Sequence, residues 1–187
     1  GPGMLRAAGR CADGVRLHPF NTRQYLEEQC LPQIESGLAS AGRSRADIEV
    51  IAGAFIATGT NQAEVDEMLK YIRFRIAFYC STRAYWHVLR VHDMQDLGER
   101  LRPYPAAGRW DEMAALIPRD VIDLFALVGT HDEVAEKLAG RYGGLVDAIS
   151  LFIAPGTDPE TLKPIVAAAK EVSVRFGAPR PGIRSTV

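Results

Sequence analysis

One stretch, Ala126–Gly156, does most to limit the folds open to this chain: ALVGTHDEVAEKLAGRYGGLVDAISLFIAPG. Its first part predicts a helix, because Val134, Leu138 and Tyr142 recur at helical spacing and two glycines follow them. The next segment, Ala148–Ala154, is nearly all apolar, which predicts a strand buried on both faces, as in a parallel sheet. A helix followed by a buried parallel strand is half of a β/α repeat, so the stretch predicts an α/β fold.

Two further segments, at about 14–18 and 48–58, have the composition of strands. With the strand at about 147–154 they make three, and helical patterns separate them. This alternation predicts parallel strands joined by helices.

The segments between the strands carry helix signals. Thr22 is predicted to cap a helix over about 22–41, with a kink or break near Cys30 because Pro32 follows. Residues 61–125 are predicted to form a series of helices, with Asn61 as the first cap and a break at residues 103–105. The start, GPGMLRAAGRCA, is predicted to be a glycine turn that leads into a helix.

Composition excludes several classes of protein. The chain has 187 residues and a net charge of −1, so nothing favours binding to nucleic acid or to an acidic membrane. Its three cysteines are far apart, which argues against a disulfide framework or a zinc site and favours a reducing cytosol. No apolar run is long enough to span a membrane. We therefore expect a cytoplasmic protein without a metal.

His18 is the first candidate for chemistry, because it lies at the carboxyl end of the first predicted strand and ligands bind at the carboxyl ends of parallel strands. An imidazole there can polarise a carbonyl or relay a proton. The alternative is a rim histidine bonded to a loop.

His87 and His92 are five residues apart and share a helix face poorly, so a metal site is not predicted. Asp147 is interpreted as a turn or cap residue and not as a catalytic acid.

The order of five segments resembles a known family: DGVRLHPF, YLEEQCLPQIESGLASAGRS, IEVIAGAFIATG, VGTHDEVAEKL and VDAISLFIAPG. They resemble the carboxyl-terminal half of the bacterial luciferase-like monooxygenase superfamily, and above all its actinobacterial branch of oxidoreductases that use coenzyme F420. FYCSTRAYWHVL resembles the helical insertion after the seventh strand of that branch. The resemblance covers about residues 1–170.

The resemblance implies a partial (β/α)₈ TIM barrel in which the three predicted strands are the sixth, seventh and eighth. Residues 1–176 would be the carboxyl-terminal part of the barrel, with a helical insertion at about 61–125 and a tail at 177–187. A full barrel takes roughly 250 residues, and the absent first five strands carry most of the cofactor pocket in relatives. The chain is therefore expected to be a fragment, whether from a truncated gene, a designed truncation or proteolysis.

The resemblance also implies an oxidoreductase that depends on F420, or alternatively on FMN, and acts on a small molecule. Gly1, Pro2 and Gly3 stand where relatives bind the phosphate-bearing side chain of the cofactor, and free backbone N–H groups at a helix start suit that task. The alternative is that this Gly-Pro start is a scar of tag cleavage. Where sugar-phosphate-oxidising relatives offer threonine and lysine, this chain has His18 and Asn21, so a phosphorylated substrate is not supported.

Four residues of the insertion border the pocket in relatives: Tyr79, Ser81, Thr82 and Tyr85. Aromatic rings there can stack on a ligand ring, and hydroxyls can bind its edge. The alternative for them is packing between helices. The alternative for the whole chain is a non-catalytic remnant of the fold that acts as a self-associating binding or interaction protein.

Open strand edges predict the assembly. Three parallel strands leave two edges unpaired, and unpaired edges and apolar faces favour association. We therefore expect at least a homodimer, unless the insertion helices fold back over the open sheet. Because most of the cofactor pocket is absent, we also expect this chain alone to bind F420 or FMN weakly, if at all.

Overall fold

The computed structural model describes residues 1–171, apart from the side chains of Thr161 and Ala168. The predicted tail at 177–187 lies outside the described residues. Before the tail, the structure describes a 3₁₀ turn at Pro159–Leu162 and an α-helix at Lys163–Glu171.

Four parallel strands form one sheet: β1 (Gly14–Leu17), β2 (Glu49–Gly59), β3 (Ala126–Thr130) and β4 (Ala148–Phe152). The long strand β2 is central, because Ile51 pairs with Arg16 of β1 and with Ala148 of β4, one on each edge. Further along, Phe55 pairs with both β3 and β4. Strands β1 and β3 therefore lie end to end along one edge of β2, and β4 lies along the other.

The prediction of three strands was wrong, because Ala126–Thr130 is a fourth. It begins directly after the helix that ends at Phe125, with no turn residue to announce it. The prediction that Ala148–Ala154 is buried on both faces was also wrong. All five residues of β4 are only half-buried, because β2 is the partner on one edge and the described chain leaves the other edge open.

Before β2, the helices are α1 (Pro2–Cys11), α2 (Arg23–Tyr25) and α3 (Leu31–Ser40). The cap at Thr22 is confirmed, since its hydroxyl oxygen accepts the Tyr25 N–H at 3.1 Å. The break predicted near Cys30 is a π-helical turn at Leu26–Cys30. The glycine turn predicted at residues 1–3 was wrong, because α1 begins at Pro2, whose fixed φ suits the first position of a helix.

The predicted insertion is helical, as expected. It contains α4 (Gln62–Ser81), α5 (Trp86–Arg90), α6 (Gln95–Leu101), α7 (Pro103–Ala106), α8 (Trp110–Ala115) and α9 (Arg119–Phe125). Asn61 caps α4 by accepting the Glu64 N–H. After β3 come α10 (His131–Tyr142), closed at its start by a Thr130–Glu133 capping box, and α11 (Lys163–Glu171). None of the described helices is long and apolar enough to cross a membrane.

Helices cover both faces of the sheet. On one face the alternate β2 side chains Phe55 and Ala57 join α4–α9 in one apolar cluster. On the other, Val50 and Ala54 join the first helices together with α10 and α11. Strands of a closed barrel carry helices on the outer face only. Here the insertion folds back over the second face, which is the arrangement expected to cover an open sheet within one chain.

Candidate functional site

The loop after β1 places His18 at the carboxyl end of the strand, as predicted. Asn21 holds this loop, because its amide donates to the His18 carbonyl at 2.7 Å and to the Gly53 carbonyl of β2 at 2.8 Å. Asn21 is buried, and Pro19 packs so closely on Gly53 that a Cβ there would lie 2.7 Å from the Pro19 nitrogen. The backbone of His18 is therefore fixed against the central strand.

The imidazole of His18 presents an N–H to the site. Its Nδ1 accepts the Phe20 N–H at 3.0 Å, so the neutral ring carries its proton on Nε2. Partial burial, and then the positive charge of Arg75, lower the pKa of His18 below its ordinary 6.5. At neutral pH the group is therefore a hydrogen-bond donor suited to polarising a carbonyl oxygen.

Two predicted tyrosines line the space beside His18. The Tyr79 ring meets the imidazole edge-on at a centroid distance of 4.6 Å, and the Tyr85 ring lies 4.8 Å away, with its hydroxyl oxygen 3.5 Å from Nε2. Tyr79 is buried and Tyr85 is half-buried. The sequence-predicted histidine and tyrosines thus come together in one cluster, which we call the His18 cluster (His18, Tyr79, Tyr85).

Ser81 and Thr82 lie at the end of α4 and face their own helix. Both hydroxyls donate to the Phe78 carbonyl, at 2.7 and 2.9 Å. Their protons are thereby engaged, and only their lone pairs remain to accept a hydrogen bond from a ligand.

Arg75 joins this site, although sequence reasoning missed it. Its Nη2 donates to the Tyr79 hydroxyl at 2.6 Å, and its guanidinium carbon lies 5.2 Å from the Tyr79 ring centroid. The available signal was the spacing, because Arg75, Phe78 and Tyr79 are at i, i+3 and i+4 and so share one helix face. The site therefore combines a cation, a neutral imidazole and aromatic walls.

The start of α1 lies at the same end of the sheet. Only two residues link α1 to β1, so the helix runs antiparallel to the strand and its amino terminus lies towards the end where His18 stands. Gly1 and Gly3 are exposed, with no atom within 4 Å of where a Cβ would be. The Gly3 N–H belongs to the first turn, where N–H groups have no partner within the helix. Open space and a free donor are compatible with a bound phosphate.

Other histidines have structural partners. His92 Nε2 lies 2.8 Å from the Thr22 hydroxyl oxygen, and His87 packs on Tyr25 at 5.4 Å between ring centroids. Burial is the larger cause that lowers the pKa of both imidazoles. Among residues 1–171, no group of three or more His, Cys, Asp or Glu side chains is placed to hold a metal ion.

These lowered pKa values predict a loss of stability in mild acid. Between the folded pKa and the unfolded value of 6.5, the unfolded chain binds more protons at His18, His87 and His92. The free energy of unfolding should therefore fall as the pH is lowered from about 7.5 to about 5, above the range of ordinary carboxylates. Urea unfolding at several pH values measures it, and His92→Gln should flatten the slope. Constant stability over this interval would contradict the prediction.

A parallel sheet with helices on both faces is an α/β architecture, and in such folds ligands bind at the carboxyl ends of the strands, the end at which His18 lies. The model of the family of luciferase-like monooxygenases matches residues 1–148. The chain therefore belongs to the luciferase-like monooxygenase family, as its sequence pattern predicted.

Individual relatives agree with this assignment. An uncharacterised protein of Mycobacterium tuberculosis is 38% identical over 149 residues, which are 80% of this chain and 44% of that protein. A 5,10-methylenetetrahydromethanopterin reductase of Methanopyrus kandleri is 28% identical over 177 residues, covering 94% of this chain and 48% of the reductase.

A solved structure agrees as well. The coenzyme F420 dependent tetrahydromethanopterin reductase from Methanopyrus kandleri matches 92% of this chain with a TM-score of 0.67 and 26% identity, over 48% of its own chain. The α/β fold with a parallel sheet and helices is thereby confirmed. The chain spans about half the length of the curated relatives it matches.

Proposed function

We propose that this chain is the carboxyl-terminal part of an F420-dependent oxidoreductase that acts on a small molecule, with β1, β2 and β4 as the sixth to eighth strands of a TIM barrel. The observation that carries the proposal is the His18 cluster at the carboxyl end of β1. Relatives that match this chain are named as F420-dependent or as methylenetetrahydromethanopterin reductases, which supports F420 in preference to FMN.

The residues of the chain would have separate roles at this site. The start of α1, at Gly1, Pro2 and Gly3, would hold the phosphate-bearing part of the cofactor in the open space there, with the Gly3 N–H as backbone donor because Pro2 has none. Bound F420 would supply hydride transfer. His18 would donate its Nε2–H to a substrate oxygen, and Tyr79 and Tyr85 would exclude water and orient a ring. The hydroxyl oxygens of Thr82 and of the buried Ser81 would accept hydrogen bonds from the ligand.

Cofactor titration tests the assignment. We expect this chain alone to change the fluorescence of F420 or FMN weakly, because most of the pocket belongs to strands that it does not contain. If the gene contains an upstream reading frame for those strands, the extended protein should bind F420 more tightly than FMN. Sub-micromolar affinity of the short chain, or no F420 binding by the extended protein, would contradict the proposal.

His18→Ala in the active extended protein should lower kcat/KM by about 10²-fold, since a positioned proton donor contributes about 10²–10⁴-fold. The melting temperature should change little, because His18 is only partly buried. His87→Ala is the matched control, as it removes a histidine outside the cluster. Normal kinetics with a normal melting curve would contradict the role of His18 as a proton donor and would favour a rim histidine.

A second candidate function is a self-associating binding or interaction protein. Stability of the chain by itself is favoured by the insertion, which covers one face of the sheet and buries an apolar cluster there, whereas self-association is favoured by the half-buried edge strand β4. A protein of this kind would bind ligands at the His18 cluster without turnover. The extended protein would then bind F420 no better than the short chain does.

The open edge of β4 supports a homodimer in either case. Four of the five residues of AISLF are apolar, yet all five are only half-buried. No strand among residues 1–171 pairs with the outer edge of β4, and an unpaired strand edge is a site of association. Sedimentation at micromolar concentration should show at least a dimer. Ser150→Lys on β4 should weaken it, while Ser36→Lys on the exposed face of α3 should not. A compact monomer that melts cooperatively would contradict this assembly.

A further inference from the structure

Arg75 is held in a cage of aromatic rings at the carboxyl end of the sheet. Its guanidinium carbon lies 5.8 Å from the Phe78 ring centroid, 5.2 Å from that of Tyr79 and 5.4 Å from that of Phe152. Phe152 is the last residue of β4, so the cage joins helix α4 to the strand end opposite His18. Ring faces attract a cation, and this attraction fixes the side chain in place.

The charge of Arg75 has no carboxylate partner among residues 1–171, although Arg45, Arg109 and Arg119 each have one. Its one hydrogen bond within this part of the chain goes to the Tyr79 hydroxyl. The buried Nε is unpaired, and Nη1 has no hydrogen-bond acceptor among residues 1–171. A half-buried guanidinium with a free donor nitrogen is a ready partner for an anion.

The groups around Arg75 determine which ligand charge the site can balance. His18 is neutral at pH 7 and adds a second donor, its Nε2–H, beside the same Tyr79 ring. The site thus offers one positive charge, which balances one negative charge. A carboxylate carries one, whereas a phosphate monoester carries about −1.5 to −2 at pH 7.

The aromatic rings of the site determine the shape of the ligand that it can bind. Tyr79 and Tyr85 meet edge-on at a centroid distance of 4.8 Å, and Tyr71 stacks parallel to Phe152 at 6.5 Å between ring centroids. Aromatic walls favour a flat, apolar ligand body. We propose that the Arg75 site (Arg75, His18, Tyr79, Tyr85) binds the carboxylate of an aromatic substrate, an assignment of substrate class that rests on the proposed oxidoreductase function.

Binding of benzoate without any cofactor tests this inference. Titration of the chain, followed by NMR of the arginine Nε–H groups, should show saturable binding that perturbs Arg75. Arg75→Gln should weaken benzoate binding at least about tenfold, since a hydrogen bond to a charged group is worth about 1.5–3 kcal/mol. Arg75→Lys should retain part of the affinity, and Arg90→Gln on an exposed surface should change nothing.

Three probes check charge and shape. Benzamide is the uncharged analogue, acetate lacks the ring and phenyl phosphate carries more charge, and all three should bind more weakly than benzoate. Benzoate binding that is absent, or that survives Arg75→Gln in a folded protein, would overturn the inference, as would tighter binding of phenyl phosphate. Because F420 is not used, failure of F420 binding with intact benzoate binding would count against the proposed function alone.

Discussion

Gly9→Ala is expected to lower the free energy of unfolding by about 3 kcal/mol, the upper part of the usual range for overpacking. Gly9 lies where α1 crosses α3, and a Cβ there would stand 2.3 Å from the Ile34 carbonyl oxygen and 2.8 Å from the Leu38 nitrogen. Both are backbone atoms of a helix, so no side-chain rotation can relieve the clash. The two helices would have to separate and break the contact that fixes α1.

The backbones of α1 and α3 approach each other closely at a glycine of each helix. A Cβ on Gly37 of α3 would stand 2.1 Å from the Arg6 carbonyl oxygen of α1. Arg43 also donates to the Gly9 carbonyl at 2.7 Å and to the Ala12 carbonyl at 2.7 Å, which holds the end of α1 at this distance. Separation of the helices would therefore cost hydrogen bonds as well as packing.

Gly140→Ala is the matched control, because Gly140 is also inside a helix but has no atom within 4 Å of a new Cβ. Alanine should stabilise α10 there by about 0.5–1 kcal/mol, through its higher helix propensity. Urea unfolding of the two variants measures both effects, which have opposite signs. Equal effects would show that α1 and α3 separate freely and that the crossing contributes little.

The position of His18 in the fold was predictable from the sequence, because it depends only on the strand that directly precedes it. A residue that follows a parallel strand lies at the ligand-binding end of the sheet wherever that strand sits. The caps at Thr22 and Asn61 were predictable for the same reason, since each depends on residues three positions away. Arg75 was not predictable in this way, because its cage includes Phe152, which is 77 positions further along the chain.

The strand β3 and the exposure of β4 depend on pairing, which a local pattern does not contain. Ala126–Thr130 is five residues long, follows a helix without a turn and becomes a strand by pairing with Phe55–Gly59. The run AISLF has the composition of a strand buried on both faces, but β4 pairs with β2 on one edge, and its residues stay half-buried. Composition reported the apolar character correctly, while burial followed from the position of the strand in the sheet.

Asp147→Ala is expected to lower the free energy of unfolding by about 3 kcal/mol, since breaking a buried ion pair costs about 3–5 kcal/mol and this pair is partly open. The Asp147 carboxylate accepts from Arg45 Nη2 at 2.6 Å and from the Val50 N–H at 2.7 Å. The Asp147 N–H donates to the Val50 carbonyl at 2.9 Å. One residue before β4 therefore joins the start of β2 to Arg45, a structural role in agreement with its interpretation as a turn or cap residue.

The expected loss of stability in Asp147→Ala follows from the burial of the Arg45–Asp147 pair. The side chain of Arg45 is 8% exposed and that of Asp147 is 24% exposed, so alanine would leave a charge in the interior without its carboxylate. Asp147→Asn should cost about half as much, because its oxygen can still accept the Val50 N–H. Asp123→Ala breaks the Arg119 pair, whose side chains are 56% and 51% exposed, and should cost less than about 1 kcal/mol. If urea unfolding gave the same loss for Asp147→Ala and Asp123→Ala, the Arg45–Asp147 pair would not be what fixes the start of β4 against β2.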